Sequence, residues 1–369
     1  MSVIRVGCVG VGGMGGNHVK AVSDIKNAEL VAVCDIIEAT AKRVGEQYSV
    51  PFYTDHRAML KKEKLDAITI ATPHPQHRPV AVAALNAKKH VFTEKPMAST
   101  VSDCDLMIAA AKKNRKRLCV MYQQRTKAVN HEARRIIKSG EIGTLIRVNM
   151  VSSSMRTQAY YDSGGWRGTW DGEGGGVLLN QAPHQIDLLL WLTGPPKRVM
   201  GHVSTFGHEI EVEDTASALM EYPNGAHGCI QVSTVEAPGM SRYEIVGTKG
   251  RIVLEGSRLR MNVLEQPSDQ FIKTNKEMWG SVKGEWKDIE VKPDAATHVE
   301  GVTAMIQDFI DSLIEKRASL CPAEEGRMSV ELANAMIMSS VTGKPVDLPI
   351  DAKKYDGILK KLIRQKGLM

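Results

Sequence analysis

Short runs of β-branched and other apolar residues alternate with amphipathic stretches over the first third of the chain. The runs are apolar nearly throughout, which is typical of strands covered on both faces, as in a parallel sheet. They predict strands at Ile4–Val9, Leu30–Cys34, Ala67–Ile70, His90–Thr93 and Leu118–Met121. Helical patterns separate them, near Asn17–Ser23, Ala39–Tyr48, Val80–Ala87 and Val101–Lys113. This β-α-β-α order predicts a doubly wound α/β sheet with helices on both faces.

The pattern changes after about residue 125. Turn residues separate several alternating segments between Val199 and Leu264, which predicts an antiparallel meander in a larger sheet. Gly140 suits a helix C-terminal cap because it lacks a Cβ. The other elements predicted here are helices at Asn130–Ser139, Val177–Leu192, Val299–Lys316 and Glu324–Thr342, an amphipathic terminal helix at Lys353–Lys366, and a strand at Leu145–Ser153. The second half is therefore predicted to be α+β.

A glycine-rich turn, Val9-Gly10-Val11-Gly12-Gly13-Met14-Gly15, follows the first predicted strand. The spacing of Gly10, Gly12 and Gly15 matches the dinucleotide fingerprint, in which glycines make the tight turn and let backbone approach the pyrophosphate. The following helix N-terminus offers free N–H groups to a diphosphate. Glycine triplets also occur by chance, so the fingerprint needs support from its context.

Asp35 provides that context at the end of the second predicted strand. A carboxylate there accepts hydrogen bonds from both adenosine ribose hydroxyls and repels a 2′-phosphate, which predicts NAD rather than NADP. A turn residue or helix cap is the alternative interpretation of Asp35. We count Gly13, Met14 and Ile36 with the same cofactor site. The sequence thus predicts a Rossmann domain over 1–125 and an α+β substrate-binding and oligomerisation domain over 126–369, with C-terminal helices packing back on the first.

Composition narrows the class of protein. Of 369 residues, 43% are hydrophobic and 24% charged, the mix of a soluble globular protein. The chain has no long apolar run or leader-like N-terminus, and its six cysteines are scattered, so we expect a cytoplasmic protein. The net charge of +6 is spread along the chain, and its basic residues are not interleaved with aromatic residues. We therefore expect neither a nucleic acid nor a membrane as a partner. His74 and His77 have ligand-like spacing, but a third ligand is not apparent and we predict no metal.

Thr93-Glu94-Lys95-Pro96 ends a later strand of the same half. Ligands of a doubly wound sheet lie at the carboxyl ends of its strands, so Lys95 is predicted to point at the nicotinamide. On spacing alone, an ordinary surface lysine in a turn fits as well. Glu94-Lys95-Pro96 follows a Rossmann-like half and precedes an α+β half. In this arrangement the chain resembles the Gfo/Idh/MocA oxidoreductase family over nearly its whole length. Further markers of the resemblance are the three glycines, Asp35, Thr72-Pro73 with His77, and the segment Asn180–Asp187.

The resemblance implies roles for particular residues. Lys95 would lie at the substrate and nicotinamide, and His184 would be the acid/base. The cofactor site would further include Thr72, Pro73, His77, Glu94, Gln124, Trp166 and Arg167, and the substrate site Gln123, Arg156, Tyr160, Trp166 and Asn180. Many family members carry aspartate where this chain has Asn180, four residues before His184. Asparagine can hydrogen-bond a hydroxyl but cannot take a proton, which shifts the acid/base work to His184 and Lys95.

The residue types suit oxidation of a secondary alcohol. Histidine is matched to removing the O–H proton near neutral pH, and a lysine ammonium stabilises negative charge developing on the oxygen. Asp187, one turn later, would orient His184 or form a structural salt bridge. Trp166 and Trp170 would stack on sugar rings or pack between domains; both interpretations stay open.

The segments around Gln123, Trp166 and His184 are most similar to a bacterial subgroup that oxidises the 3-hydroxyl of glucosides to a 3-keto group. The alternatives are an inositol or free-sugar dehydrogenase, an NAD-recycling glycosidase, and a redox-silent NAD-sensing protein. The last has no need for both Lys95 and His184. The family resemblance also implies a homo-oligomer, a dimer of dimers or larger, joined through the open sheet face of the second domain.

Overall fold

The computed structural model describes residues 3–291 and 300–368, which form two compact units. The first unit comprises the chain up to Thr126, Asp171–Gly174 and the stretch ending at Val330; the second comprises Lys127–Trp170, the stretch from Gly175 and the chain from Glu331 onward. The sequence-based prediction placed the boundary at residue 125. It therefore assigned Asp171–Gly174 and the stretch ending at Val330 to the second domain, while allowing C-terminal helices to pack on the first. In the structure, the helix Val302–Glu315 belongs to the first unit, and its Phe309 ring lies 5.3 Å from that of Phe92.

The sheet of the first unit is entirely parallel. Its strands are β1 Ile4–Val9, β2 Ala28–Cys34, β3 Phe52–Tyr53, β4 Ala67–Ile70, β5 His90–Thr93 and β6 Leu118–Val120. The helices between them are α1 Gly13–Asp24, α2 Glu38–Tyr48, α3 His56–Lys62, α4 His74–Asn86 and α5 Val101–Asn114. The spatial order β3-β2-β1-β4-β5-β6 is that of a doubly wound dinucleotide-binding sheet, which confirms the predicted fold class.

Two details of this unit differ from the sequence-based prediction. The short β3 and α3 were not predicted, because two residues and seven residues give too little periodicity. Helix α4 begins at His74 rather than near Val80. Pro75 lies in its first turn, where the missing N–H has no intrahelical partner to lose, although Pro79 lies inside the helix.

The second unit is built on a nine-stranded sheet. Its strands are β7 Leu145–Ser153, β8 Arg198–Ser204, β9 Thr215–Glu221, β10 His227–Ser233, β11 Met240–Gly247, β12 Gly250–Glu255, β13 Arg258–Leu264, β14 Gly284–Ile289 and β15 Val346–Asp347. They lie in the order β14-β13-β12-β11-β7-β10-β9-β8-β15, and each pair is antiparallel except β7 with β10. The predicted large, mostly antiparallel sheet is therefore confirmed.

Eight further α-helices are described after β6. They are α6 Ala128–Lys138, α7 Gln158–Asp162, α8 Trp170–Glu173, α9 Pro183–Thr193, α10 Ser268–Thr274, α11 Val302–Glu315, α12 Ala323–Thr342 and α13 Ala352–Gln365. Gly140, predicted as a cap, has a φ of +76° just beyond α6. Val299, the predicted start of α11, lies outside the described residues.

The predicted continuous helix over Val177–Leu192 is wrong. The structure has a π-helix at Val177–Gln181 and then α9, which starts at Pro183. Pro183 has no N–H to continue the preceding hydrogen-bond pattern, so it suits the first turn of a new helix. None of the helices within the described residues is both long and apolar enough to cross a membrane.

Candidate functional site

The glycine turn after β1 has the geometry that a dinucleotide site requires. Gly10 has a φ of +76°, and its N–H donates to the carbonyl of Cys34 at 2.8 Å. A Cβ on Gly15 would lie 1.7 Å from the Gly10 carbonyl oxygen, so helix α1 can approach β1 only with glycine there. The backbone itself therefore requires the outer two glycines of the fingerprint.

Gly12 and Gly13 differ from the outer two glycines, because their surroundings leave room for a side chain. A Cβ on either would meet nothing within 4 Å, so protein packing does not require glycine at these positions. Gly12 is the N-cap of α1 and carries no side chain to occupy the first amides of the helix. This leaves an open helix N-terminus with partial positive charge, which fits a diphosphate.

Asp35 ties the end of β2 to the glycine turn. Its Oδ2 accepts the N–H of Val11 at 3.0 Å, and its Oδ1 accepts the N–H of Ile37 at 3.0 Å. Each carboxylate oxygen keeps capacity for a further hydrogen bond, as ribose hydroxyls need. Ile36 is 89% exposed beside it and Met14 is 46% exposed, and these apolar side chains suit the face of an adenine ring. The residues present thus fit NAD.

Glu94 and Lys95 follow β5, and a buried histidine holds the glutamate. His18 of α1 lies with its Nε2 3.0 Å from Oε1 of Glu94, and the two side chains are nearly inaccessible. The other oxygen, Oε2, accepts the N–H of Lys95 at 3.0 Å. Lys95 itself is half-buried. Sequence reasoning missed His18, although its place on the first turns of α1 was a usable signal.

His77 is fully buried and bridges two backbone turns. Its Nδ1 lies 2.8 Å from the carbonyl oxygen of Pro96, and its Nε2 lies 2.8 Å from that of Thr72. Burial lowers the pKa of His77, while the two carbonyls and Glu94 oppose that shift. The predicted cofactor role of His77 would thus be exerted through the turns that it braces, at Thr72-Pro73 and Lys95-Pro96.

His74, the other histidine of α4, also bonds to backbone rather than to a metal-like cluster. Its Nδ1 lies 3.0 Å from the carbonyl oxygen of Glu173, which also accepts from the hydroxyl of Ser99 at 3.3 Å. Among the described residues, no group of three or more His, Cys, Asp or Glu side chains could hold a metal ion.

Gln123 and Gln124 lie on a short 3-10 turn, Gln123–Thr126, directly after β6. Both are half-buried. The buried Arg125 between them and the next helix bonds to Glu325 and to the carbonyl of Leu320, which anchors the turn. The turn therefore presents two amide side chains at the carboxyl end of the last strand.

In the second unit, three predicted residues form a stacked cluster. The Arg167 guanidinium lies over the Tyr160 ring at 4.4 Å and over the Trp166 ring at 4.6 Å. Its Nη1 also donates to the Tyr160 hydroxyl at 2.6 Å. Trp170, in contrast, is only 1% exposed and is not available to stack on a sugar. We call Tyr160, Trp166 and Arg167 the arginine–aromatic cluster.

A hydrogen-bonded histidine holds the segment that carries Arg156. Nε2 of His208 lies 2.9 Å from the Arg156 carbonyl oxygen, and its Nδ1 lies 3.0 Å from Oδ2 of Asp214. Although burial alone would raise it, hydrogen bonds from Gly207, Phe206 and His208 hold the pKa of Asp214 below its ordinary value. His208 and Asp214 were missed by sequence reasoning, because 52 residues separate His208 from Arg156.

Asn180 lies on the π-helix, and His184 lies in the first turn of α9. Asn180 is buried and His184 half-buried. Gln181, between them, donates from Nε2 to the Tyr160 hydroxyl at 3.5 Å. The segment with the predicted acid/base therefore contacts the arginine–aromatic cluster.

The parallel sheet, the glycine turn and Asp35 define a dinucleotide-binding oxidoreductase class. Two family models match the chain: the NAD-binding Rossmann fold of an oxidoreductase family over residues 4–122, and the GFO/IDH/MocA C-terminal domain over residues 130–253. The chain belongs to the GFO/IDH/MocA oxidoreductase family. It is an NAD-dependent oxidoreductase, which confirms the predicted class and cofactor.

Individual relatives cover nearly the whole chain. The crystal structure of the WlbA dehydrogenase from Chromobacterium violaceum, in complex with NADH and UDP-GlcNAcA, is 30% identical with a TM-score of 0.81, covering 95% of this chain and 97% of that one. Inositol 2-dehydrogenase of Salmonella typhimurium is 26% identical over 359 residues, 94% of this chain and 97% of its own. A levoglucosan dehydrogenase complex with NADH shares the fold at 20% identity, with a TM-score of 0.82, covering 95% of this chain and 100% of that one.

Proposed function

We propose that the protein oxidises a secondary alcohol of a carbohydrate with NAD, most specifically the 3-hydroxyl of a glucoside, giving a 3-keto glycoside. The observation that carries the proposal is the arginine–aromatic cluster beside the segment of Asn180 and His184, linked through Gln181 and Tyr160. Aromatic faces, a guanidinium and amides are the groups that bind the apolar faces and hydroxyls of sugars. Relatives named inositol 2-dehydrogenase and a relative holding UDP-GlcNAcA support a carbohydrate substrate.

His184 is the proposed base. Its imidazole takes the proton of the alcohol O–H and passes it to solvent, while the carbon gives up hydride. NAD, when bound, supplies the hydride acceptor. The Lys95 ammonium donates a hydrogen bond to the alcohol oxygen and stabilises its negative charge as the O–H bond breaks. Asn180 binds a neighbouring hydroxyl without exchanging a proton.

The other predicted site residues are proposed to bind and orient the cofactor and the sugar. On the cofactor side these are the glycine turn, Asp35, Ile36, Met14, Thr72, Pro73, Glu94, Gln124, Trp166 and Arg167. On the sugar side they are Gln123, Arg156, Tyr160 and Trp166. Arg167 is stacked on the two sugar-side aromatics, so it would also support the substrate site through them.

The test is to incubate the purified protein with NAD and methyl β-glucoside, follow NADH by absorbance and identify the product by NMR. NADH with a ketone at C3 is the expected result. The second candidate is an inositol dehydrogenase, which the similarity to inositol 2-dehydrogenase supports. Formation of NADH with myo-inositol instead of the glucoside would indicate this activity. Glycoside cleavage without net NADH would indicate an NAD-recycling glycosidase. NAD binding with no turnover of any of these would indicate an NAD sensor.

We also propose that the protein is a homo-oligomer that uses the open face of its nine-stranded sheet. Met200 and Leu219 lie opposite each other on β8 and β9 and are 42% and 65% exposed, and Cys229 continues the row on β10. An apolar row on one sheet face is typical of an association surface. Sedimentation of the wild type and of Leu219→Arg tests this: a change to a smaller species in the variant is expected, and a monomeric wild type contradicts the proposal.

A cytoplasmic location is proposed as well. None of the six cysteines, all within the described residues, forms a disulfide bond, and five of them are buried. Unpaired thiols are typical of a reducing compartment. Fractionation of expressing cells tests this, and recovery outside the cytoplasm contradicts it.

A further inference from the structure

Glu213 holds the start of the π-helix by three consecutive amides. Its Oε1 accepts the N–H of Gly176 at 2.8 Å and the N–H of Leu178 at 3.1 Å. Its own carbonyl oxygen accepts the N–H between them, that of Val177, at 2.9 Å. Glu213 is 0% exposed, so these bonds form away from water and keep most of their strength.

The backbone approach at this contact is close enough to exclude any side chain. A Cβ on Gly176 would lie 1.9 Å from the Glu213 carbonyl oxygen. This close contact requires glycine at position 176 and holds the start of the π-helix against Glu213. The contact involves residues 37 and 35 positions apart, which a local pattern does not reveal.

The π-helix determines where the proposed reacting groups lie. The N–H of Ala182 bonds to the carbonyl of Val177 at 2.8 Å, five residues back, which makes a wider turn than an α-helix has. Asn180 lies within that turn, and Pro183 starts α9 directly after it. His184 then follows in the first turn of α9. A shift at Gly176–Leu178 would thus move Asn180 and His184 together.

The surroundings of Glu213 disfavour a buried negative charge. Its Oε2 has no hydrogen-bond partner among the described residues, and neither has the buried hydroxyl of Tyr355 on α13. Burial raises the pKa of the Glu213 carboxyl to about 7, although the amides of Gly176 and Leu178 lower it; the neighbouring Asp214 raises it further. The charged groups that act on Tyr355 are Glu213 and Asp356.

We propose that Glu213 is a positioning residue for the reaction: by anchoring the first amides of the π-helix through one carboxyl oxygen, it sets where Asn180 and His184 meet the substrate. This inference rests on the proposed function, which gives Asn180 and His184 their roles. The necessary feature is an acceptor oxygen rather than a negative charge. An amide side chain therefore replaces the carboxyl group, whereas a hydrocarbon of similar size does not.

The test compares Glu213→Gln with Glu213→Leu in the full-length protein, with Glu331→Gln and Glu331→Leu as matched controls. Glu331 is also a buried glutamate of the second unit, and its Oε1 accepts the N–H of Ile350 at 3.1 Å, far along the chain from the π-helix. We expect Glu213→Leu to lower kcat for the sugar about a hundredfold, within the usual range for misplaced catalytic groups, with the Kd of NAD unchanged. Glu213→Gln and both Glu331 variants should keep kcat near that of the wild type.

A second measurement separates this inference from the proposed function and from a merely structural role. Amide hydrogen exchange of the peptide covering 176–184 should be faster in Glu213→Leu and unchanged in Glu213→Gln, whether or not any sugar is oxidised. A wild type that oxidises no sugar overturns the proposed function but leaves the exchange test of the anchor valid. Folded, NAD-binding Glu213→Leu with wild-type kcat overturns the positioning role, and so does unchanged exchange in that peptide. Faster exchange confined to that peptide, in a folded and NAD-binding Glu213→Leu variant, is the outcome that a simple loss of stability does not predict.

Discussion

In the first unit, Gly12 and Gly13 leave open space at the start of a helix, and Asp35 is held by the amides of Val11 and Ile37. In the second unit, side chains far apart in the chain hold the segments that carry proposed site residues: His208 bonds to the carbonyl of Arg156, and Glu213 caps the π-helix. The cofactor half thus depends mainly on backbone geometry within a regular topology. The segments proposed to bind the substrate depend on long-range side-chain contacts to irregular backbone.

The largest expected effect concerns the two proposed reacting side chains, one in each unit. His184→Ala and Lys95→Met should each lower kcat by about a thousandfold. The first variant loses the base that removes the alcohol proton, and the second loses the ammonium that stabilises negative charge on the alcohol oxygen. NAD binding, measured by fluorescence titration, should be unchanged in His184→Ala. Wild-type turnover in either variant would sink the proposed mechanism.

The second prediction compares two glycines of one turn. Gly15→Ala should destabilise the fold by about 3 kcal/mol or more, because its Cβ would lie 1.7 Å from a backbone oxygen. Gly12→Ala should leave the free energy of unfolding nearly unchanged but weaken NAD binding about tenfold, because its methyl group would enter the diphosphate site. Urea unfolding measures the stability of both variants, and NAD titration measures their affinity for the cofactor. Equal loss of stability in Gly12→Ala and Gly15→Ala would contradict the prediction.

The third prediction is a pH dependence of stability that arises in the second unit. Burial raises the pKa of the Glu213 carboxyl to about 7 from its ordinary value of 4.5, so the folded protein holds this proton more tightly than the unfolded chain. The resulting stabilisation is fully present below pH 4.5 and is lost as the pH rises through 7. Relative to Glu213→Gln, the wild type should lose on the order of 3 kcal/mol of unfolding free energy across that range. Parallel slopes for the two proteins in urea unfolding at several pH values would contradict it.

The smallest expected effect distinguishes cofactor from substrate binding at the arginine–aromatic cluster. Arg167→Lys keeps the charge but loses the planar group that stacks on Tyr160 and Trp166. The KM of the sugar should rise about tenfold, a change of about 1.4 kcal/mol. If the Kd of NAD rises instead and the KM stays constant, Arg167 acts on the cofactor alone.

Sequence patterns predicted the first unit well. The bounds of β1, β4 and β5 agree with the prediction, and the glycine spacing with Asp35 predicted both the fold class and NAD. Sequence patterns predicted less of the second unit. The apolar run from Val177 to Leu192 is compatible with one continuous helix, and nothing within it indicates the π-turn that Glu213 stabilises from a distance. Trp170 was an open candidate for sugar stacking, and its burial excludes that role.

The sequence by itself determined the parallel sheet, the dinucleotide turn and the family, because these depend on local periodicity and on glycines that the backbone requires at fixed spacing. Only the tertiary structure decided that His18 holds Glu94, that His208 holds the Arg156 segment, and that Glu213 anchors the π-helix. Those contacts join residues 76, 52 and 37 positions apart. A histidine or glutamate has the same local pattern whether it is exposed or buried against a distant partner, so the folded chain alone specifies which of them position the site.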